Sequence, residues 1–194
     1  MRRKIPSSLL PDRKPNIMTD SRSSPEPLSV RKAESKDVEL VREILLEAEH
    51  WLRAMSEPLW RDDELSTDAI SSDVEAGSYY VAECDGVAAG TLRFQLSDEE
   101  TWPDVPDGES AFVHRLAVRR SHAGGEVSSA LLRWAANRTA ALGLPKLRLD
   151  CVASRPKLRA LYERFGFRYH STRQVGPDLV ARYELPLIPV DLDD

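Results

Sequence analysis

From Leu28 the chain alternates between two hydrophobic periods, and each predicts an element. Leu28 to Lys32 reads as a short strand. Ser35 is placed to cap a helix running to about Met55, because Val38, Val41, Leu45, Ala48, Leu52 and Met55 recur on one face. A polar, Trp-bearing loop follows from Ser56 to Ser66, and Thr67 then caps a short helix that ends at Gly77. Ser78 to Cys84 and Val87 to Leu96 are strands joined at Asp85-Gly86, a hairpin signal. Ala111 to Val118 is a further strand. A helix from about Gly125 to Leu142 stops at Gly143, with Pro145 beyond it. Lys146 to Val152 is a buried strand, Pro156 to Phe165 a helix with proline in its first turn, and Phe167 to Arg173 and Leu179 to Leu187 a terminal pair of strands.

The order β-α-α-β-β-β-α-β-α-β-β decides the fold class. Short connections join antiparallel neighbours, and connections long enough to carry a helix join parallel ones. The expectation is therefore an α/β domain with a mixed, mostly antiparallel central sheet of six or seven strands and helices on both faces. It occupies residues 28–187. Residues 1–27 hold five of the 13 prolines, several serines and few core formers, and read as a disordered basic tail. Residues 188–194 read as an acidic C-terminal tail.

Charge narrows the partners. The net charge is -5, but residues 1–27 carry +3, which leaves -8 on the remainder. An acidic domain argues against a broad nucleic-acid surface and favours cationic partners. No apolar run approaches the roughly 20 residues of a membrane helix, so no membrane role is expected. Residues 1–27 also lack the apolar stretch of a signal peptide. Two cysteines, Cys84 and Cys151, make neither a disulfide framework nor a metal cluster, so no metal is expected and a reducing cytoplasm is. Both read as small buried hydrophobes. Nothing in Leu179 to Asp194 demands pairing between subunits, which leaves monomer or homodimer.

Two stretches carry chemistry. The first runs from Ala111 to Leu132, where an apolar strand gives way to a short basic loop (Arg119, Arg120, His122) and Gly124-Gly125 opens a helix. A helix N-terminus offers unpaired N–H groups and partial positive charge, and glycine lets a ligand approach that backbone; a pyrophosphate suits such a site. The alternative is an ordinary glycine turn. The second, Pro156-Lys-Leu-Arg-Ala-Leu-Tyr-Glu-Arg-Phe-Gly-Phe, sets Leu158, Leu161, Tyr162 and Phe165 at helical spacing and reads on its own as a packing helix.

In this order and separation, the two stretches resemble the GCN5-related N-acetyltransferase family over about residues 28–187. The first is similar to its acetyl-CoA motif, a strand ending Leu-x-Val followed by an Arg/Gln-x-x-Gly-x-Gly/Ala loop; the second is similar to its Tyr-x-x-x-Gly-Phe motif. The resemblance implies the acyl-CoA N-acyltransferase fold and acetyl-CoA as acyl donor. It implies that Leu116, Ala117 and Val118 offer backbone groups to the pantetheine arm where the central strands splay apart. Gly124, Gly125, Glu126, Val127, Ser128 and Ser129 would hold the pyrophosphate through N–H groups, with Arg119 or Arg120 at outer phosphates. Tyr162 matches the residue that protonates the departing thiolate. The chain departs from the pattern at three places. Ala123 stands where the loop has Arg or Gln, and Glu126 where it ends in Gly or Ala. Arg155 stands where an Asn is common, and is expected at a CoA phosphate or carbonyl. These departures keep a non-catalytic acyl-CoA-binding domain alive as the alternative to an enzyme acting on a primary amine.

Direct transfer needs a base for the acceptor ammonium but no protein nucleophile. His114, alternating with Leu116 and Val118 along the motif strand and of the residue type best suited to proton exchange, is the first candidate; the alternative is a histidine hydrogen-bonded at the sheet surface. Glu109 at the strand entrance is second, and also an acceptor-site candidate. Trp51, Trp60 and Trp102, set among Glu57, Asp62, Asp63, Glu64 and the acidic run 97–109, suggest a cationic small-molecule amine, with Trp60 in its site.

Overall fold

The computed structural model describes residues 28–187; the expected basic and acidic tails lie outside them. Seven strands form one sheet in the order β1-β2-β3-β4-β5-β7-β6. They are β1 (Ser29–Lys32), β2 (Tyr79–Cys84), β3 (Val87–Gln95), β4 (Ser110–Val118), β5 (Lys146–Val152), β6 (Arg168–Val175) and β7 (Asp178–Pro186). Every neighbouring pair is antiparallel except β4 with β5. That exception has the expected cause: helix α3 (Val127–Ala141) lies between the two strands and returns the chain to the same edge.

Helices α1 (Val38–Ala54) and α2 (Thr67–Glu75) cover one face, where Val41, Ile44, Leu45, Ile70 and Val74 meet Tyr79, Val81 and Ala117. Helices α3 and α4 (Pro156–Phe165) cover the other, where Leu131, Leu132, Ala135 and Tyr162 meet Leu92, Val113, Leu147, Leu149 and Tyr183. Two helix starts differ from expectation. Glu34, not Ser35, is the first cap: its N–H donates to the Asp37 carboxylate (2.8 Å), and a short 3-10 turn at Ser35–Asp37 leads into α1. Ser66, not Thr67, caps α2; its Oγ accepts from the Ala69 N–H (3.3 Å), while the Thr67 hydroxyl turns to Glu39 (3.1 Å).

Two backbone features on the central strands set up the site. Opposite β3, His114 pairs with Arg93 but Ala117 pairs with Thr91, so β4 carries one extra residue at a bulge. Arg115 sits there with φ 50, in the left-handed region. The bulge reverses the strand's faces. Ala111 and Val113 pack into the α3/α4 core before it, Leu116 and Val118 do so after it, and Ala117 joins the α1/α2 core. The expected alternation of His114 with Leu116 and Val118 is therefore broken: His114 faces away from both. On β3, a Cβ added at Gly90 would lie 2.8 Å from the Ala117 carbonyl and 2.9 Å from Val127 Cγ1. Glycine here lets the start of α3 press down on the end of β4.

Candidate active site

β4 and β5 pair over only four residues, from Ser110 with Lys146 to Val113 with Leu149. Both strands then continue, β4 to Val118 held by β3 and β5 to Val152 held by β7. An opening forms between them, and along 114–118 the β5-facing backbone groups of β4 have no strand partner among the described residues. Leu116, Ala117 and Val118 border this opening, as expected for a chain-like ligand with amides of its own.

At the wide end of the opening stands the start of α3. A 3-10 turn at Arg120–His122 and Gly124, with φ +78, swing the chain into the helix. Glu126 occupies the N-cap without bonding through its side chain, and the first helical turn is closed by the Ala130 N–H to the Glu126 carbonyl (2.8 Å). The N–H groups of Glu126, Val127, Ser128 and Ser129 have no backbone acceptor among the described residues. Ala123, Gly124, Gly125 and Glu126 are exposed, so the Glu126 carboxylate can stay in water while its neighbours' N–H groups face an anion.

The cationic residues expected to assist are placed elsewhere. The Arg119 guanidinium bonds Glu47 (3.0 Å), Glu43 (3.4 Å) and the Ala88 carbonyl (3.2 Å), which ties the loop to α1. The Arg120 N–H donates to Glu47 (2.6 Å), and its guanidinium stacks 4.0 Å above Trp51. Arg155, just past β5, donates to the Glu57 carbonyl (2.7 Å) and to the Pro58 carbonyl. It holds the α1–α2 loop rather than reaching toward α3. All three are legible as loop arginines, but the carboxylates and carbonyls that engage them come from distant stretches of chain.

At the narrow end lies a cluster that the sequence shows only in part. His114 Nε2 is 3.3 Å from Asp98 Oδ2, and Nδ1 is 3.7 Å from Asp150 Oδ1. Ligand atoms from the three lie within 4.8 Å of one another, but the two carboxylates address opposite ring nitrogens, an arrangement suited to proton exchange. Burial pushes the Asp98 carboxyl up, but His114 and the Thr101 N–H outweigh it and hold Asp98 below the ordinary range. Asp150 shifts the other way: burial raises it, Asp98 and Glu100 add to the rise, and only His114 opposes. Asp98 was visible as one acid in a run of six; Asp150 carried no signal, because only the pairing of β4 with β5 brings it to His114.

Tyr162 projects from α4 into the core beside Phe167 and Tyr183, and burial raises its phenol well above the ordinary value. Burial also pushes the Cys151 thiol up to about 12, which leaves it a packing residue, as expected.

The acceptor-side expectations fare unevenly. Trp60 is half-buried against the α1/α2 core, its backbone N–H donating to the Glu49 carboxylate (3.0 Å). Glu49 is itself only 1% exposed and also takes the Leu59 N–H and the Arg53 guanidinium, so one buried carboxylate shapes this loop. Trp102 is 1% exposed, with the guanidinium groups of Arg148 and Arg182 at 5.0 and 4.6 Å from its ring. Both guanidinium groups lie against its ring, and it also lines the recess between the 97–109 segment and Phe112. Glu109 is exposed at the paired end of β4, five residues before His114 and so about 16 Å away at about 3.3 Å per residue. The structure does not bring it to the opening. A recess of about 440 Å³ between the 97–109 segment and Phe112 shares Asp98 with the cluster.

Comparison with known proteins agrees with this architecture. A Bacillus subtilis (strain 168) protein named as an uncharacterized N-acetyltransferase, YesJ, is 29% identical over 153 residues, covering 76% of this chain and 85% of that one. A GNAT-family acetyltransferase structure from Listeria monocytogenes 4b F2365 superposes with a TM-score of 0.70 at 23% identity, covering 82% of this chain and 95% of its own. The structure of YncA, a Salmonella typhimurium acetyltransferase described with its cofactor acetyl-CoA, gives 0.63 at 18% identity, covering 87% and 98%. The sequence profile of the acetyltransferase (GNAT) family matches residues 41–167, from α1 through the Gly-Phe that ends α4, and the chain belongs to that family.

Proposed function

We propose that this acetyltransferase moves an acetyl group from acetyl-CoA to the primary amine of a small molecule, by direct transfer in a ternary complex in the cytoplasm. The observation that carries the reading is the joining, in one opening, of free α3 N–H groups at its wide end and the Asp98–His114–Asp150 cluster at its narrow end. Acetyl-CoA supplies the acetyl group already activated as a thioester. The N–H groups of Glu126 to Ser129 suit its pyrophosphate, and the unpaired β4 backbone at Leu116 to Val118 suits its pantetheine amides. The His114 cluster takes the proton of the acceptor ammonium. Tyr162 keeps its proton at every ordinary pH and can give it to a thiolate nearby. The acidic residues around the cluster favour an acceptor that carries positive charge.

The second reading, a domain that binds acyl-CoA without turnover, draws on Arg119 and Arg155, whose guanidinium groups are engaged by Glu43, Glu47 and the 57–58 carbonyls. One experiment separates the two. The protein is incubated with acetyl-CoA and a panel of primary amines, and thiol release is followed beside mass spectrometry of the amines. Amine-dependent release with an acetylated product supports the enzyme; acetyl-CoA binding without release supports the sensor.

A further inference from the structure

We infer that Asp150 is the residue that takes the acceptor's proton, with His114 behind it and Asp98 as the buried anchor of a carboxylate–imidazole–carboxylate relay. This rests on the acetyltransferase reading above and assigns the roles inside its cluster.

Three observations carry it. First, Asp150 directly follows Leu149, the last β5 residue paired with β4, and its partner beyond that point is Arg182 of β7. Its position is the apex of the opening. It alternates with Leu149 and Cys151, which enter the α3/α4 core, so its side chain lies on the opposite face, that of His114. Second, the atoms of the cluster face one another. His114 Nε2 lies 3.3 Å from Asp98 Oδ2 and Nδ1 lies 3.7 Å from Asp150 Oδ1, so each ring nitrogen is turned toward a carboxylate. Asp98 Oδ1 accepts the Thr101 N–H (2.9 Å), and Oδ2 is buried without a hydrogen bond of its own. The Asp98 side chain is 7% exposed against 19% for Asp150. Asp150 accepts no hydrogen bond from the described residues, and its carboxylate, more open than that of Asp98, is the one placed to meet an incoming ammonium.

Third, the surrounding charges leave Asp150 unpaired. The acids facing it are Asp98 and Glu100 of the 97–109 segment, and the base is His114. The arginines nearby face other groups, although Nε and Nη1 of Arg148 are buried without a hydrogen bond among the described residues. Arg182 bonds Asp104, the Thr101 carbonyl and Ser171; Arg148 lies by Glu184 and Trp102; Arg93 by Asp73; Arg115 by Glu64. With no arginine contributing to hold it ionised, burial raises the Asp150 carboxyl above its ordinary range, the direction that makes a carboxylate a stronger base. The step is one proton transfer: an ammonium N–H bond breaks, an Asp150 O–H bond forms, and the nitrogen keeps the electron pair it needs for attack. His114 lets the proton leave on the side away from the substrate.

The test compares wild type with Asp150→Asn and Asp98→Asn. For each, an alkylamine that wild type accepts is run beside its β-trifluorinated analogue, whose nitrogen is largely neutral at pH 7. Asp150→Asn is expected to lose about a hundredfold or more of kcat toward the basic amine and less than about tenfold toward the fluorinated one, the usual range for a removed base. Acetyl-CoA affinity by calorimetry should stay within about threefold, since Asp150 lies away from the α3 N-terminus. Asp98→Asn, a positioning change, should shift the acidic limb of kcat/KM to lower pH, because a negative charge beside the relay is gone.

A readout without ligands accompanies these. The Asp150 carboxyl is raised in the fold, so the folded chain binds its proton more tightly than the unfolded chain and loses stability as pH rises through the folded pKa. Asp150→Asn should therefore unfold at a higher temperature than wild type near pH 7, and this gain should vanish below about pH 4, the ordinary carboxylate range. Equal loss toward both amines, or full activity in Asp150→Asn, overturns the assignment while leaving the acetyltransferase reading intact. Acetyl-CoA binding without turnover in wild type overturns the reading and the assignment with it.

Discussion

Asp98 and Asp150 flank one imidazole yet bear opposite shifts, and the cause is what else each carboxylate touches. Asp98 has the Thr101 N–H as well as His114, which together favour its charged form. Asp150 has His114 against two neighbouring acids and its own burial. Stability should therefore respond to the two amide substitutions in opposite senses. Asp98 is depressed in the fold, so its contribution is present above the unfolded pKa and is lost as pH falls through the folded value. Asp98→Asn should lower the unfolding temperature near pH 7, by an amount that shrinks as the pH is taken below about 3, in thermal scans against pH. Tyr162 belongs to the same scale. Tyr162→Phe should cost about ten- to a hundredfold in kcat with little change in the KM for acetyl-CoA, in steady-state kinetics, because the ring still packs and only the proton is missing. Tyr162 could be found in the sequence because its motif is local. Asp150 could not, because its partner stands 36 positions earlier and neither residue marks the other.

Elements show the same division between local and distant causes. Strand and helix periods were readable because each is a property of ten or twenty consecutive residues, and the β4–β5 parallel pair followed from the helix between them. The bulge at Arg115 was not readable. Arginine carries no signal for a left-handed conformation, and the register shift that creates the bulge is a property of β3 and β4 together. It nevertheless decides which way His114 points. Arg155 is the second case: its place after β5 was clear, but the α1–α2 carbonyls that hold it lie nearly a hundred residues away. Arg155→Ala should raise the KM for the acceptor several-fold by freeing that loop, and leave the acetyl-CoA dissociation constant within about threefold; a selective loss of acetyl-CoA affinity would return Arg155 to the CoA phosphates. Gly90 makes a sharper element-scale test. Gly90→Val puts a side chain against the Ala117 carbonyl and Val127, both of which would have to move. It should cost on the order of 1–3 kcal/mol in denaturant unfolding, the usual range for overpacking, and weaken acetyl-CoA because α3 lifts from β4.

The whole molecule divides its labour by face. One face, α3 and α4 over the sheet, presents backbone N–H groups and Tyr162. The other, α1, α2 and the 97–109 segment, supplies the carboxylates and the loop that Arg155 ties down. The two are open to one another where β4 and β5 part, which is where the proposed reaction would bring thioester and acceptor together. No helix among the described residues is long and apolar enough to cross a membrane.

The proposed function stands or falls on whether this opening binds acetyl-CoA through the α3 N-terminus despite Ala123, Glu126 and the engaged Arg119 and Arg155. Thermal unfolding of wild type against acetyl-CoA concentration, with ATP as the comparison, tests it most directly. Binding to the folded state alone stabilises by about 2.7 kcal/mol at a hundredfold excess over the dissociation constant. For a domain of this size that is a rise on the order of 5–10 °C, at about 2–4 °C per kcal/mol. Acetyl-CoA is expected to give such a rise, and ATP a smaller one. An unchanged unfolding temperature at millimolar acetyl-CoA would contradict it.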